Sequence, residues 1–162
     1  MEFKSIGNMY DSIRSAVKGE GGKVEVTDER ALRGEVIDNL IYNGVFNEEE
    51  IVREARQVIK GIADVMGIKP ASIQNLYEAM GRGECGGFTV PAINIRGLTY
   101  DVARAVFRAA MKHNVGAFIF EIAKSEIGYT QQRPSEYTAC VLASAIKEGY
   151  RGCVFIQETI SR

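Results

Sequence analysis

The chain has 162 residues, 46% of them hydrophobic and 25% charged, a make-up that excludes a disordered segment and allows a packed core. Its 20 basic and 21 acidic side chains leave a net charge of −1, so no overall field draws it to nucleic acid or to an anionic membrane. Neither partner is expected. No run approaches the roughly 18 apolar residues of a membrane span, and Glu2 and Lys4 open the chain without the apolar stretch of a signal peptide. Cytoplasmic localisation is therefore expected. Cys85, Cys140 and Cys153 are odd in number and show no C-x-x-C spacing, which argues against a disulfide framework and a zinc finger. They read as free thiols, Cys140 and Cys153 in the core.

Residues 1–80 read as helical. Ile6, Met9, Tyr10, Ile13 and Val17 recur at three-four spacing, and Gly19, Gly21 and Gly22 stop that helix. A second helix follows Thr27, with Leu32, Val36, Ile37, Leu40 and Ile41 on one face, and ends near Asn43-Gly44. Asn47-Glu48-Glu49-Glu50 resembles a capping box and starts the longest helix, whose stripe runs through Ile51, Ala55, Val58, Ile59, Ile62, Val65 and Met66 to a stop at Gly67. After Lys69-Pro70, Ser72 caps a short helix carrying Ile73, Leu76, Tyr77 and Met80.

Residues 81–87, Gly-Arg-Gly-Glu-Cys-Gly-Gly, suit neither helix nor strand. They read as a linker; an anion cradle is the alternative, although the Walker pattern is missing and Arg82 is the one basic residue. A helical extension over 1–80, a linker over 81–87 and a β/α part over 88–162, separable at the linker, are predicted.

The β/α part begins with a strand over 88–95 in which Pro91 is tolerated near an unpaired end. Thr99 caps a helix with Val102, Ala103, Val106, Phe107 and Ala110 that finishes at His113-Asn114. Residues 115–122 are nearly all apolar, as in a strand buried on both faces. A long polar loop over 123–133 leads to a helix from Pro134 or Ser135 to Gly149, with Tyr137, Val141, Leu142, Ala145 and Ile146 inward. The last strand is 153–157. Right-handed parallel crossovers predict that the three strands lie side by side in sequence order.

In parallel β/α folds reactive groups gather at the carboxyl ends of the strands. Asn94 stands there on the first strand and either faces a ligand or caps local backbone. Glu121 ends the second strand; it belongs to a structural ion pair or to a site at the rim, because an unpaired buried carboxylate is costly. Lys124, Ser125, Glu126, Tyr129, Gln131, Gln132 and Arg133 crowd the following loop, as substrate-holding groups or as a solvated surface. Nothing shows the apolar burial that a Schiff-base Lys124 needs. The single histidine, His113, falls in the last turn of a helix, where the dipole favours it whatever the protein does, and no metal-ligand spacing is legible.

Four segments carry a resemblance: Phe88-Thr89-Val90-Pro91-Ala92-Ile93-Asn94; Glu121-Ile122-Ala123-Lys124-Ser125-Glu126-Ile127-Gly128-Tyr129-Thr130; Gln132-Arg133-Pro134-Ser135-Glu136-Tyr137; and Gly152-Cys153-Val154-Phe155-Ile156-Gln157. Together they resemble the start of class II aldolases, the zinc-dependent ketose-bisphosphate aldolases of the fructose-bisphosphate aldolase type. Pro70-Ala71-Ser72-Ile73-Gln74-Asn75-Leu76-Tyr77 is similar to the end of the helical extension of their longer members.

The resemblance implies a (β/α)₈ TIM barrel, zinc as cofactor, a sugar-phosphate substrate and aldol cleavage or condensation. Residues 88–162 make up less than a third of the about 250 residues of a closed barrel, or about two and a half β/α units. It implies substrate-binding roles for Asn94, Glu121 and Ser125. The family's Gly-Asp-His run after the third strand, which supplies the catalytic aspartate and a zinc histidine, is replaced here by Glu158-Thr159-Ile160-Ser161-Arg162. No catalytic or metal residue is carried over, and the expectation is an N-terminal portion of such an aldolase without activity by itself.

The rival expectation is a non-catalytic assembly module. In it the final strand, with no helix after it, forms an exposed edge that makes the chain a homo-oligomer.

Overall fold

The computed structural model describes residues 1–20 and 22–159, the last by its backbone. Gly21 of the first predicted helix stop and residues 160–162 of the tail lie outside the described residues.

Helix α1 (Ile6–Ile13) is opened by Ser5, whose hydroxyl accepts from the Asn8 amide at 3.1 Å, and it buries Met9 and Ile13. It stops four residues earlier than its apolar spacing predicts, because Val17 starts a hairpin of β1 (Val17–Glu20) and β2 (Lys23–Val26). Gly19 lies within β1, and Gly22 is in the turn that leads into β2. Gly19 has φ +104°, and a Cβ there would stand 2.2 Å from the Lys23 carbonyl oxygen, so no other residue fits without moving backbone. Asp28, not Thr27, caps the next helix by accepting from the Ala31 amide. That helix runs as α2 (Glu29–Ala31), a π stretch (Leu32–Val36) and α3 (Ile37–Phe46). Asn43, expected near its end, is instead fully buried, binding Phe3 N, Met1 O and Asn39 O.

The longest helix, α4 (Glu49–Val65), buries Ile51, Ala55, Val58, Ile59 and Ile62, the face read from its spacing. The following strand β3 (Ile68–Ala71) was not expected, since Lys69-Pro70 read as a connection. Helix α5 (Gln74–Gly81) has no buried residue. Strand β4 is short (Ala92–Asn94); it leads to α6 (Thr99–Lys112), β5 (Ile119–Ala123), α7 (Lys124–Thr130), α8 (Pro134–Glu148) and β6 (Gly152–Thr159). Residues 124–130 are thus helical where a loop was predicted.

The chain is an α/β protein whose four-stranded sheet, in the order β3-β6-β5-β4, is parallel throughout. The sequence order β4, β5, β6 is as the crossover rule requires. Strand β6, expected at an exposed edge, is an interior strand: β3 pairs with it from Ile68↔Gly152 to Ala71↔Phe155. The residues read as a helical extension therefore contribute a strand. The sheet's outer strands carry Pro70 within β3 and Pro91 just before β4, and proline offers no amide to a further strand. The sheet's edges are thus β3 and β4 and not the final strand.

Alternation along β5 divides the sheet. Phe118, Phe120 and Ile122 join Val154 in one core with α4, α6 and α8, whereas Ile119 and Glu121 point to the opposite face. Cys140 lies in the core and burial pushes its thiol up to about 12, which leaves it protonated; Cys153, also expected inside, is exposed. Among the described residues no helix is long and apolar enough to cross a membrane.

Candidate functional site

Parallel strands finish at the same end of a sheet, and register brings Asn94, Glu121 and Gln157 into one row there: Asn94 pairs with Glu121, and Glu121 with Gln157. Side chains paired in register share a face, so all three project from the side opposite the main core. Gln157 Nε2 donates to Glu121 Oε2 at 3.0 Å. Asn94 Oδ1 is buried and has no hydrogen-bond partner among the described residues, an uncommon state for a buried acceptor.

Below the row the chain supplies a second carboxylate. Glu126, 6% exposed, reaches back from the first turn of α7 so that its Oε2 accepts from the Ala123 amide at 2.8 Å, the glutamate half of a capping box. Its Oε1 accepts from Arg96 Nε, and the Asn94 carboxamide also bonds it. The Ala123 amide, then Asn94 and Arg96, hold the carboxyl below its usual range, against the opposing effect of burial.

A carboxylate with a lowered folded pKa stabilises the fold above its unfolded pKa, and that contribution is lost as pH falls through the folded value. Glu126→Gln is thus expected to flatten the decline of Tm below about pH 4.3, the ordinary glutamate value. An unchanged slope of Tm against pH would contradict this assignment.

Two further contacts fix the strand ends. Tyr137 of α8 donates to the Glu121 carbonyl at 2.8 Å, and buried Gln132 accepts from Thr99 Oγ1 and donates to the Arg96 carbonyl at 3.3 Å.

Of the three residues singled out from sequence, Asn94 and Glu121 come together. Ser125 is exposed in the first turn of α7, off the row. Gln157 was not among the candidates, and Glu126 was named only as one of the seven polar residues between β5 and α8. Gln157 was findable from strand alternation in step with Glu121, and Glu126 from its position three residues after Ala123, where an N-terminal helix acid belongs.

An open cavity of about 430 Å³ adjoins the row, lined by β3 and α5 (Pro70, Ser72, Ile73, Gln74, Tyr77) and by Ile119, Phe155 and Gln157 of the sheet. Ile119 is fully buried on this face.

Zinc, the cofactor implied by the resemblance, does not fit the residues present. His113 caps the C-terminus of α6, which leads from β4 back to the start of β5, so the imidazole lies at the amino end of the sheet, away from the row. Among the described residues no group of three or more His, Cys, Asp or Glu side chains is placed to hold a metal ion. The row itself offers one carboxylate and two carboxamides, a donor set better matched to hydroxyl groups than to zinc.

Comparison with family models, with curated proteins and with solved structures finds no match. The fold is that of an α/β protein with a parallel sheet flanked by helices.

Proposed function

We propose that the chain is a class II aldolase-like protein, its sheet equivalent to the opening strands of a (β/α)₈ barrel. It binds a sugar phosphate at the strands' carboxyl ends and does not perform zinc-dependent aldol cleavage by itself. The observation that carries the reading is the row of Asn94, Glu121 and Gln157 on adjacent parallel strands, with Asn94 Oδ1 buried and unpartnered among the described residues. A buried acceptor without a donor loses hydration and gains nothing in return, and a ligand hydroxyl supplies the missing donor. The binding end is the one that β/α folds use in general. The lack of turnover follows from the donor set, which includes no histidine.

The test uses the purified chain with added zinc and fructose 1,6-bisphosphate. No cleavage above a zinc-only blank is expected, together with saturable binding that Asn94→Ala weakens about tenfold, the equivalent of one lost hydrogen bond to a buried group. Zinc-dependent turnover that disappears with Asn94→Ala would falsify the binding-only reading. Absence of saturable binding would remove the aldolase-like reading altogether.

A further inference from the structure

We infer that the cavity between the β3–α5 segment and β6 is a binding site for an uncharged sugar. The inference rests on the proposed reading only in taking the strands' carboxyl ends as the binding end; its ligand is a second one, uncharged and distinct from the sugar phosphate. At about 430 Å³ the cavity lies within the range of small-molecule sites, about 300–1,000 Å³. Among the described residues no Asp, Glu, Lys, Arg or His side chain lines it. A phosphate or carboxylate placed against these residues would give up part of its hydration with no described cation to meet it, which is disfavoured. A neutral ligand meets no such penalty.

The polar groups that do line it are those that match hydroxyls. The carboxamides of Gln74 and Gln157 and the hydroxyls of Ser72 and Tyr77 each donate and accept, as a sugar hydroxyl does. Both carboxamides are already oriented. Gln157 Nε2 is committed to Glu121 at 3.0 Å and Gln74 Nε2 to Glu78 at 3.1 Å, so each carbonyl oxygen is left to accept from a ligand. Such anchoring lowers the entropy lost on binding.

The rest of the lining is apolar. Ile73, Ile119 and Phe155 form the floor, and Tyr77, 41% exposed, offers a ring face on which the C–H side of a sugar can stack. Ser72 and Gln74 follow the carboxyl end of β3, and Phe155 and Gln157 lie on the neighbouring strand that β3 pairs with, so this wall exists only because the N-terminal segment enters the sheet. The strand absent from the sequence reading is thus the element that creates the site.

The experiment measures binding of D-fructose, fructose 1,6-bisphosphate and adenosine to the full chain by calorimetry and saturation-transfer NMR. Fructose is expected to bind saturably, Tyr77→Ala and Gln157→Leu each weakening it about tenfold or more, while adenosine does not compete. Circular dichroism of both variants monitors folding, and Tyr77 sits on a helix with no buried residue, so its loss leaves the core intact. Undetectable fructose binding, fructose binding indifferent to both substitutions, or displacement of fructose by adenosine overturns the inference. The two readings fail separately. Bisphosphate binding that survives Tyr77→Ala, without fructose binding, refutes this site alone; Tyr77-dependent fructose binding without bisphosphate binding refutes the sugar-phosphate reading alone.

Discussion

Phe107→Ala is expected to lower the unfolding free energy by about 3–5 kcal/mol, the usual cost of emptying a large buried aromatic position. Phe107 is fully buried on α6, with its ring centroid 5.7 Å from Phe118, 5.0 Å from Phe120 and 4.9 Å from Tyr150. Phe118 and Phe120 make a further edge-on pair at 5.7 Å. The four rings join α6 to β5 and to the turn before β6, and a cavity among rings packed from three elements cannot close by one side chain moving. The expected loss is a large share of the about 5–15 kcal/mol that a domain has in total. Urea unfolding checks it: the midpoint should fall with an unchanged m-value. A loss below about 1 kcal/mol would mean that the cluster collapses around the gap, in contrast to the partial relaxation usual in cores. The effect extends to the site, because Phe120 and Glu121 are consecutive on β5 and the cluster seats the strand that carries the middle of the row.

What was legible in the sequence was whatever local pattern alone decides. The stripe Ile51, Ala55, Val58, Ile59 and Ile62 lies buried as its spacing demands, and the apolar run through Phe120 is a strand between two parallel neighbours. What was missed depends on partners distant in the chain. Strand β3 is four residues long with a proline inside it, and only β6, more than eighty residues later, makes it a strand. The hairpin was hidden because a glycine in a strand or a hairpin turn, such as Gly19 or Gly22, reads the same in sequence as a glycine that ends a helix. In the site, Asn94 and Glu121 were visible as polar interruptions of apolar strands. Glu126 stood among seven polar residues of what read as a loop, with nothing to single it out; its burial arises when α7 forms and returns the carboxylate to the Ala123 amide. Gln157 resembled any polar strand terminus until register set it beside Glu121.

Arg56→Ala is expected to cost about 2–3 kcal/mol, between the net worth of a charge-assisted hydrogen bond and the loss on breaking a fully buried pair. The guanidinium is spent three ways: Nε donates to the Gly44 carbonyl of α3 at 2.7 Å, Nη1 to Ser135 Oγ at 3.0 Å and Nη2 to Glu136 Oε2 at 3.0 Å. The side chains of Arg56 and Glu136 are 17% and 19% exposed, so water replaces these contacts poorly. Removing the arginine leaves the Glu136 carboxylate and the Gly44 carbonyl short of a donor. Glu136→Gln in the same background relieves the charge, so the double variant should lose less than the two single losses combined, by about 1 kcal/mol or more, as contacting residues do. Strict additivity in chemical denaturation would show that the ion pair is not coupled and that the loss arises from packing alone. The consequence reaches the candidate site through the first turn of α8. There Tyr137, the residue after Glu136, holds the Glu121 carbonyl at 2.8 Å, so a loosened helix start frees the end of β5 and weakens ligand binding along with stability.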